Sequence, residues 1–217
     1  MTCLRAGPFL AGDVERVDSQ VLTDPHYRMP AVEGGETGLK WLRQHVVRFS
    51  DGSSHVRRRL LTEGVVRGVM QAPFVASPTV SLVRAMGLPD EFTNDVALVA
   101  ASYQPHAPQS SEADAAADRL VEACGGRNEE SAARVCVLVQ GHAATEALIA
   151  RRREGSAAPP VPSTRRVGAD GTLVEVDLAG AHFGRGPHRC PADALARRFA
   201  DEALSSIDPS PSARACS

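Results

Sequence analysis

A chain of 217 residues can bury one sizeable core but is short for two independent domains of ordinary size. Lys and Arg number 24 against 26 Asp and Glu, for a net charge of −2, so no global field points to a nucleic-acid partner or a membrane surface. Aromatic residues make up 4%, and the abundance of Ala, Val, Leu and Arg favours a mainly α chain packed through small aliphatic side chains.

Along the chain, residues 1–40 alternate polar and Gly/Pro-containing pieces that read as turns. Trp41 to Phe49 reads as a short helix or strand, and Asp51-Gly-Ser-Ser as a turn with a helix N-cap. His55 to Met70 follows as a helix with Val56, Leu60, Leu61, Val65 and Val66 as its apolar face. Arg57, Arg58 and Arg59 crowd its first turns, where positive charge opposes the helix dipole, so an anionic partner is expected nearby. Further helices are expected over Ser77 to Met86, over Asp90 to Ser102 with Asp90 as its cap, and over Glu112 to Cys124. The longest runs from Glu129 to Arg153, with Val135, Leu138, Val139, Leu148 and Ile149 apolar, and should cross the core.

The prolines between Ala157 and Pro162 exclude helix. Residues 171–178 alternate as a strand does, after a turn at Ala169-Asp-Gly. Phe183 to Cys190 reads as a tight loop, and Pro191 to Leu204 as an amphipathic helix with proline in its first turn. One domain over residues 1–207 and a disordered tail over 208–217 are expected. No run approaches 18 apolar residues and the apolar run near the amino terminus is too short for a secretory signal, so a cytoplasmic location with no membrane partner is expected. The five cysteines, Cys3, Cys124, Cys136, Cys190 and Cys216, form no C-x-x-C pair and read as reduced.

The segment Phe183-Gly-Arg-Gly-Pro-His-Arg-Cys190-Pro-Ala is the most specific feature. A cysteine where a helix begins has its pKa lowered by backbone N–H groups and the dipole, and Gly184 and Gly186 allow close backbone approach to a flat ligand. A zinc site with His182 and His188 is the alternative chemistry, but zinc asks for three or four closely spaced ligands. The spacing resembles the cysteine loop of the cytochrome P450 superfamily, with Ala192 where a glycine is usual. That resemblance implies a shortened cytochrome P450-like helical fold with a small β element before the loop. It also implies haem b as cofactor and Cys190 as the metal ligand, with Phe183 and His188 beside it.

Other pieces are similar to the same family. His55 and Arg59 resemble its His-x-x-x-Arg, and share one helix face. Arg166 follows Pro159-Pro-Val at the family's distance. The resemblance implies that His55, Arg59, Arg166 and His188 hold the haem propionates, which need cations when buried. Val137 to Ile149 resembles the helix on the oxygen side, with Gly141 leaving room beside the iron. The family's acid and alcohol are replaced there by Ala143 and Ala144, leaving Thr145 as the remaining hydroxyl for a proton relay. A lone His142 on this helix reads first as packing.

The likeness also breaks. Arg153 and Ser156 stand where the family's Glu-x-x-Arg pair belongs, only residues 167–182 separate Arg166 from Phe183, and the chain has about half the usual length. The resemblance implies a haem-thiolate oxidoreductase, a monooxygenase or peroxygenase, acting on a small organic substrate with O2 or peroxide. A ferredoxin-type donor could meet Arg185, Arg189, Arg197 and Arg198. Helix faces bared by the missing segments would call for a homodimer or a partner protein. A noncatalytic haem-binding or scaffold protein supporting a partner protein is the other reading that the altered residues allow.

Overall fold

In the computed structural model, which describes residues 14–206, the long helix occupies the expected span. This helix, α6 (Glu129–Arg153), starts where the Asn128 side chain accepts a hydrogen bond from the Ser131 N–H at 2.8 Å. Glu129 and Glu130 in its first turn and Arg151, Arg152 and Arg153 in its last complement the dipole. The other helices are α1 (Gly38–His45), α2 (Gly52–Val69), α3 (Pro78–Ala85), α4 (Phe92–Ser102), α5 (Ser111–Ala123) and α7 (Asp193–Ser205). All six pack against α6.

Local spacing explains the faces. On α5, Ala113, Ala116, Ala117, Leu120 and Val121 are buried, which is the i, i+3, i+4, i+7, i+8 stripe of an amphipathic helix. It seats on α4 and α1. Ser110 and Ser77 cap α5 and α3 through hydrogen bonds from Ala113 and Val80. On α6, Val135, Leu138, Val139, Leu148 and Ile149 are all buried, each such side chain contributing about 1.5–3 kcal/mol.

Three expectations change. On α2 the buried residues are His55, Thr62, Val66 and Val69, while Val56 is 61% and Leu60 64% exposed. The inward face thus carries polar groups that the apolar pattern placed elsewhere. Helix α7 starts at Asp193 rather than Pro191. Asp90 does not cap α4, because its carboxylate takes a bidentate pair from Arg84 at 2.5 and 2.8 Å.

The β element is larger than the single expected strand. Three strands, β1 (Glu15–Val17), β2 (Ser163–Val167) and β3 (Leu173–Asp177), form a sheet in the order β1-β3-β2. β2 and β3 make the antiparallel hairpin across the expected turn, and β1 adds in parallel with Val17 opposite Val176. Part of the region read as turns is therefore strand. Val174, Val176, Leu22 and Leu178 make a second, smaller core. Between this sheet and the α6 bundle lies a cavity lined from both sides, by Leu22 and Leu178 and by Val66, Leu195 and Phe199.

Candidate functional site

The cysteine loop closes on itself. The Cys190 N–H donates to the Phe183 carbonyl at 2.8 Å and the Gly184 N–H to that of Ala181 at 2.7 Å, with a 3-10 turn at Gly186–His188 between them. Both glycines have positive φ, +74° and +62°. A Cβ on Gly186 would stand 2.6 Å from the Leu22 carbonyl oxygen, whereas one on Gly184 would meet nothing closer than 3.6 Å. Gly186 is therefore required by an approach within the chain, to the turn at Ser19–Thr23, and not only by a flat ligand.

Cys190, Phe183 and His188 line the cavity. Two residues separate Cys190 from the start of α7, which weakens the expected dipole effect. Burial pushes the thiol pKa above its ordinary value, with the Ala192 N–H acting against it.

Strand alternation turns Thr164 and Arg166 of β2 to the same cavity. Arg166 is 5% exposed. Its guanidinium donates to Thr164 Oγ1 at 3.1 Å and to the Arg165 carbonyl at 2.8 Å. Among the described residues no carboxylate pairs with it. Burial, then the neighbouring charge of Arg48, lowers its pKa to about 10.

His55 enters from α2, 7% exposed, with Nε2 buried and without a hydrogen-bond partner. Its ring lies 4.1 Å from that of His188, whose Nε2 is 3.2 Å from Asp51 Oδ1. Burial, then His55, lowers the His188 pKa to about 4. Asp51, at the N-cap position of α2, makes no side-chain cap and instead accepts from the Met29 N–H at 2.8 Å. It ties the segment before α1 to the cysteine loop.

The arginine cluster divides. Arg57 and Arg58 both donate to Glu129 at 2.6 to 2.9 Å, so the anion they required is the first residue of α6. Arg59 pairs with Glu63 at 2.6 Å and also donates to the carbonyls of Pro187, at 3.4 Å, and Arg189. It borders the cavity while tethering the loop.

On the α6 side the lining residues are Cys136, Val137, Gln140, Gly141, Ala144 and Thr145. A Cβ on Gly141 would stand 2.5 Å from Leu82 Cδ1, so α3 fills part of the space that the glycine leaves. His142 bonds Thr79 Oγ1 at 2.6 Å, the packing role expected of it.

Two features escaped the sequence reading. Arg48 also lines the cavity; a cation within Val46-Val47-Arg48-Phe49 was the available signal. Cys136 receives hydrogen bonds from Gln140 Nε2 at 2.7 Å, one turn along α6, and from the Tyr103 hydroxyl at 3.6 Å, just past the end of α4, a contact with no linear signature. Of the basic patch, Arg189 and Arg197 share Asp193, Arg198 pairs with Glu202, and Arg185 donates to the Gly180 carbonyl.

The donor set fits haem. One wall carries a thiol. The same cavity is bordered by His55, with an orphaned buried imidazole nitrogen, and by Arg166, a buried guanidinium with no carboxylate among the described residues, the groups that two propionates would satisfy. Among the described residues no three His, Cys, Asp or Glu side chains cluster as zinc would need. Nor is any described helix long and apolar enough to cross a membrane.

No family model matches the chain, and no curated protein matches it. Solved structures do. P450BioI, crystallised in complex with hexadec-9Z-enoic acid ligated acyl carrier protein, is similar at a TM-score of 0.67 and 16% identity, with 93% of this chain and 86% of that one covered. CYP164A2 of Mycobacterium smegmatis, in its ligand-free state, aligns at 0.57 and 19%, covering 87% and 80%. Epothilone D-bound P450epoK aligns at 0.59 and 15%, again covering 87% and 80%.

Proposed function

We propose, from a chain with a shortened cytochrome P450 fold, that it is a haem-thiolate oxidoreductase acting on a small organic substrate. One observation carries the reading. Cys190, the unpartnered His55 Nε2 and the uncompensated Arg166 come from a loop, a helix and a strand, yet border one cavity. A merely structural core has little reason to keep such groups together, because each buried unsatisfied polar group costs about 1–3 kcal/mol.

In this reading Cys190 is the iron ligand, and Phe183 packs beside the loop with Arg197 over its ring at 4.6 Å. His55, Arg166 and His188 hold the propionate end, with Arg59 beside them. Bound haem supplies activation of O2 or peroxide, favoured by electron density from the thiolate. Gly141 and Thr145 form the oxygen-side wall, where the Thr145 hydroxyl takes the relay role that Ala143 and Ala144 have lost. Val66, Val137, Leu195 and Phe199 keep water from the apolar part of the cavity. A ferredoxin-type donor, a homodimer or partner protein, and a cytoplasmic setting in secondary metabolism belong to the same proposal.

The test is to reconstitute the protein with haem b, reduce it, add carbon monoxide and record the Soret band. A band at the red-shifted thiolate position supports the proposal, and Cys190→Ala should abolish it. A protein that takes up no haem overturns it.

A second reading, a noncatalytic haem-binding or scaffold protein supporting a partner, is favoured by the alanines at 143 and 144. The stretch 154–162 between α6 and β2 also carries no helix, so nothing there holds the family's Glu-x-x-Arg pair. Peroxide-driven oxidation of a generic substrate by the haem-loaded protein separates the two.

A further inference from the structure

Arg59 is largely engaged within the chain. Its charge is balanced by Glu63 at 2.6 Å, and its guanidinium donates to the carbonyls of Pro187 and Arg189 on either side of His188. Three of its five N–H donors are so engaged and Glu63 balances its charge, so it has less to offer a second anion than a guanidinium with no carboxylate partner.

Arg48 is placed differently. It lines the same cavity, and among the described residues it pairs with no carboxylate. Its neighbours are the Phe49 ring, 5.8 Å away, and the Gln104 side-chain amide, whose oxygen accepts from it at 3.2 to 3.3 Å once the amide is turned over. The nearby Arg166 likewise lacks a carboxylate, and Arg48 is the largest charged influence on it. Asp51, the described carboxylate that acts on Arg166, is already held by the Met29 N–H and His188. Two guanidiniums facing one cavity repel each other unless an anion stands between them. The unpartnered His55 Nε2 borders the same space.

Resting on the haem reading above, we infer that Arg48, with Arg166 and His55, binds the two haem carboxylates, and that Arg59 is a positioning residue for the cysteine loop. The assignment moves one cation of the site from the helix motif to the 3-10 turn at Val47–Phe49.

Haem b and its dimethyl ester separate the roles, since the ester keeps the porphyrin and iron but removes the negative charges. Uptake of each is followed by Soret titration of the haem-free protein, with circular dichroism confirming that each variant folds. Arg48→Leu should weaken haem b binding about tenfold or more, the worth of a charge-assisted hydrogen bond, and change ester binding less than about twofold. Arg48→Lys should recover part of the loss. Arg59→Leu should weaken both porphyrins alike and lower the fraction showing the thiolate Soret band with carbon monoxide, which Arg59→Lys should restore. An Arg48→Leu effect that is absent, or equal for haem and ester, overturns the assignment of Arg48. An Arg59→Leu effect confined to haem b overturns that of Arg59. Wild-type protein that binds neither porphyrin refutes the haem reading itself, a result distinct from either.

Discussion

Replacing Gly186 by alanine tests how the cysteine loop is held. Any L-residue at its φ of +62° carries strain of about 1–2 kcal/mol. Gly184, at +74°, carries the same strain. The two differ in what a Cβ would meet: the Leu22 carbonyl oxygen at 2.6 Å for Gly186, and ordinary contacts at 3.6 Å or more for Gly184. Because backbone must move to relieve the first clash, Gly186→Ala adds an overpacking cost of about 1–3 kcal/mol. Gly184→Ala should therefore cost about 1–2 kcal/mol and Gly186→Ala about 2–5 kcal/mol. At about 2–4 °C per kcal/mol for a chain of this size, the melting temperature should fall roughly 4–20 °C in the second case. Thermal and urea melts of the haem-free variants measure both. Equal losses at the two positions would refute the argument that the turn at Ser19–Thr23 dictates the loop.

The face of α2 is open to a similar check. Val56→Ser and Leu60→Ser, on exposed positions, should change stability by less than about 0.5 kcal/mol, whereas Val66→Ala and Val69→Ala, both buried, should cost about 1–3 kcal/mol in urea melts. Phe199→Ala removes a side chain that is buried against Phe74, with ring centroids at 5.6 Å, and should cost about 3–5 kcal/mol. Glu129, held by Arg57 and Arg58, has its pKa lowered from 4.5 to about 2, first by the Arg57 hydrogen bond. A depressed folded-state pKa stabilises above the unfolded value and loses that contribution as pH falls through the folded one. The stability gap between wild type and Glu129→Gln should thus be full at neutral pH, about 1–2 kcal/mol after screening of the exposed Arg57. It should close between pH 4.5 and about 2; a gap that persists at the acid end argues against the ion pairs.

What could be read in the sequence was local. Helix α6 has the expected bounds, Glu129–Arg153, because its cap, its end charges and its apolar spacing all lie within the segment. The turn between β2 and β3 is likewise set by a nearby glycine, whereas the cysteine loop also answers to the distant turn at Ser19–Thr23. The fold class followed from that loop and the pieces that accompany it. The inward face of α2 did not, since burying His55 there answers to a site assembled from residues far along the chain.

By itself, then, the sequence determined the helical body, one strand with the turn before it and the candidate thiol at Cys190, through interactions between residues a few positions apart. Tertiary structure decided the rest. It brought β1 beside β3, gave Arg57 and Arg58 their anion in Glu129, diverted Arg59 to the loop carbonyls, and left Arg48 and Arg166 facing one cavity. Those outcomes depend on which charges and backbone groups meet across 70 or more residues, and such meetings are chosen by packing of the whole core rather than by any local spacing.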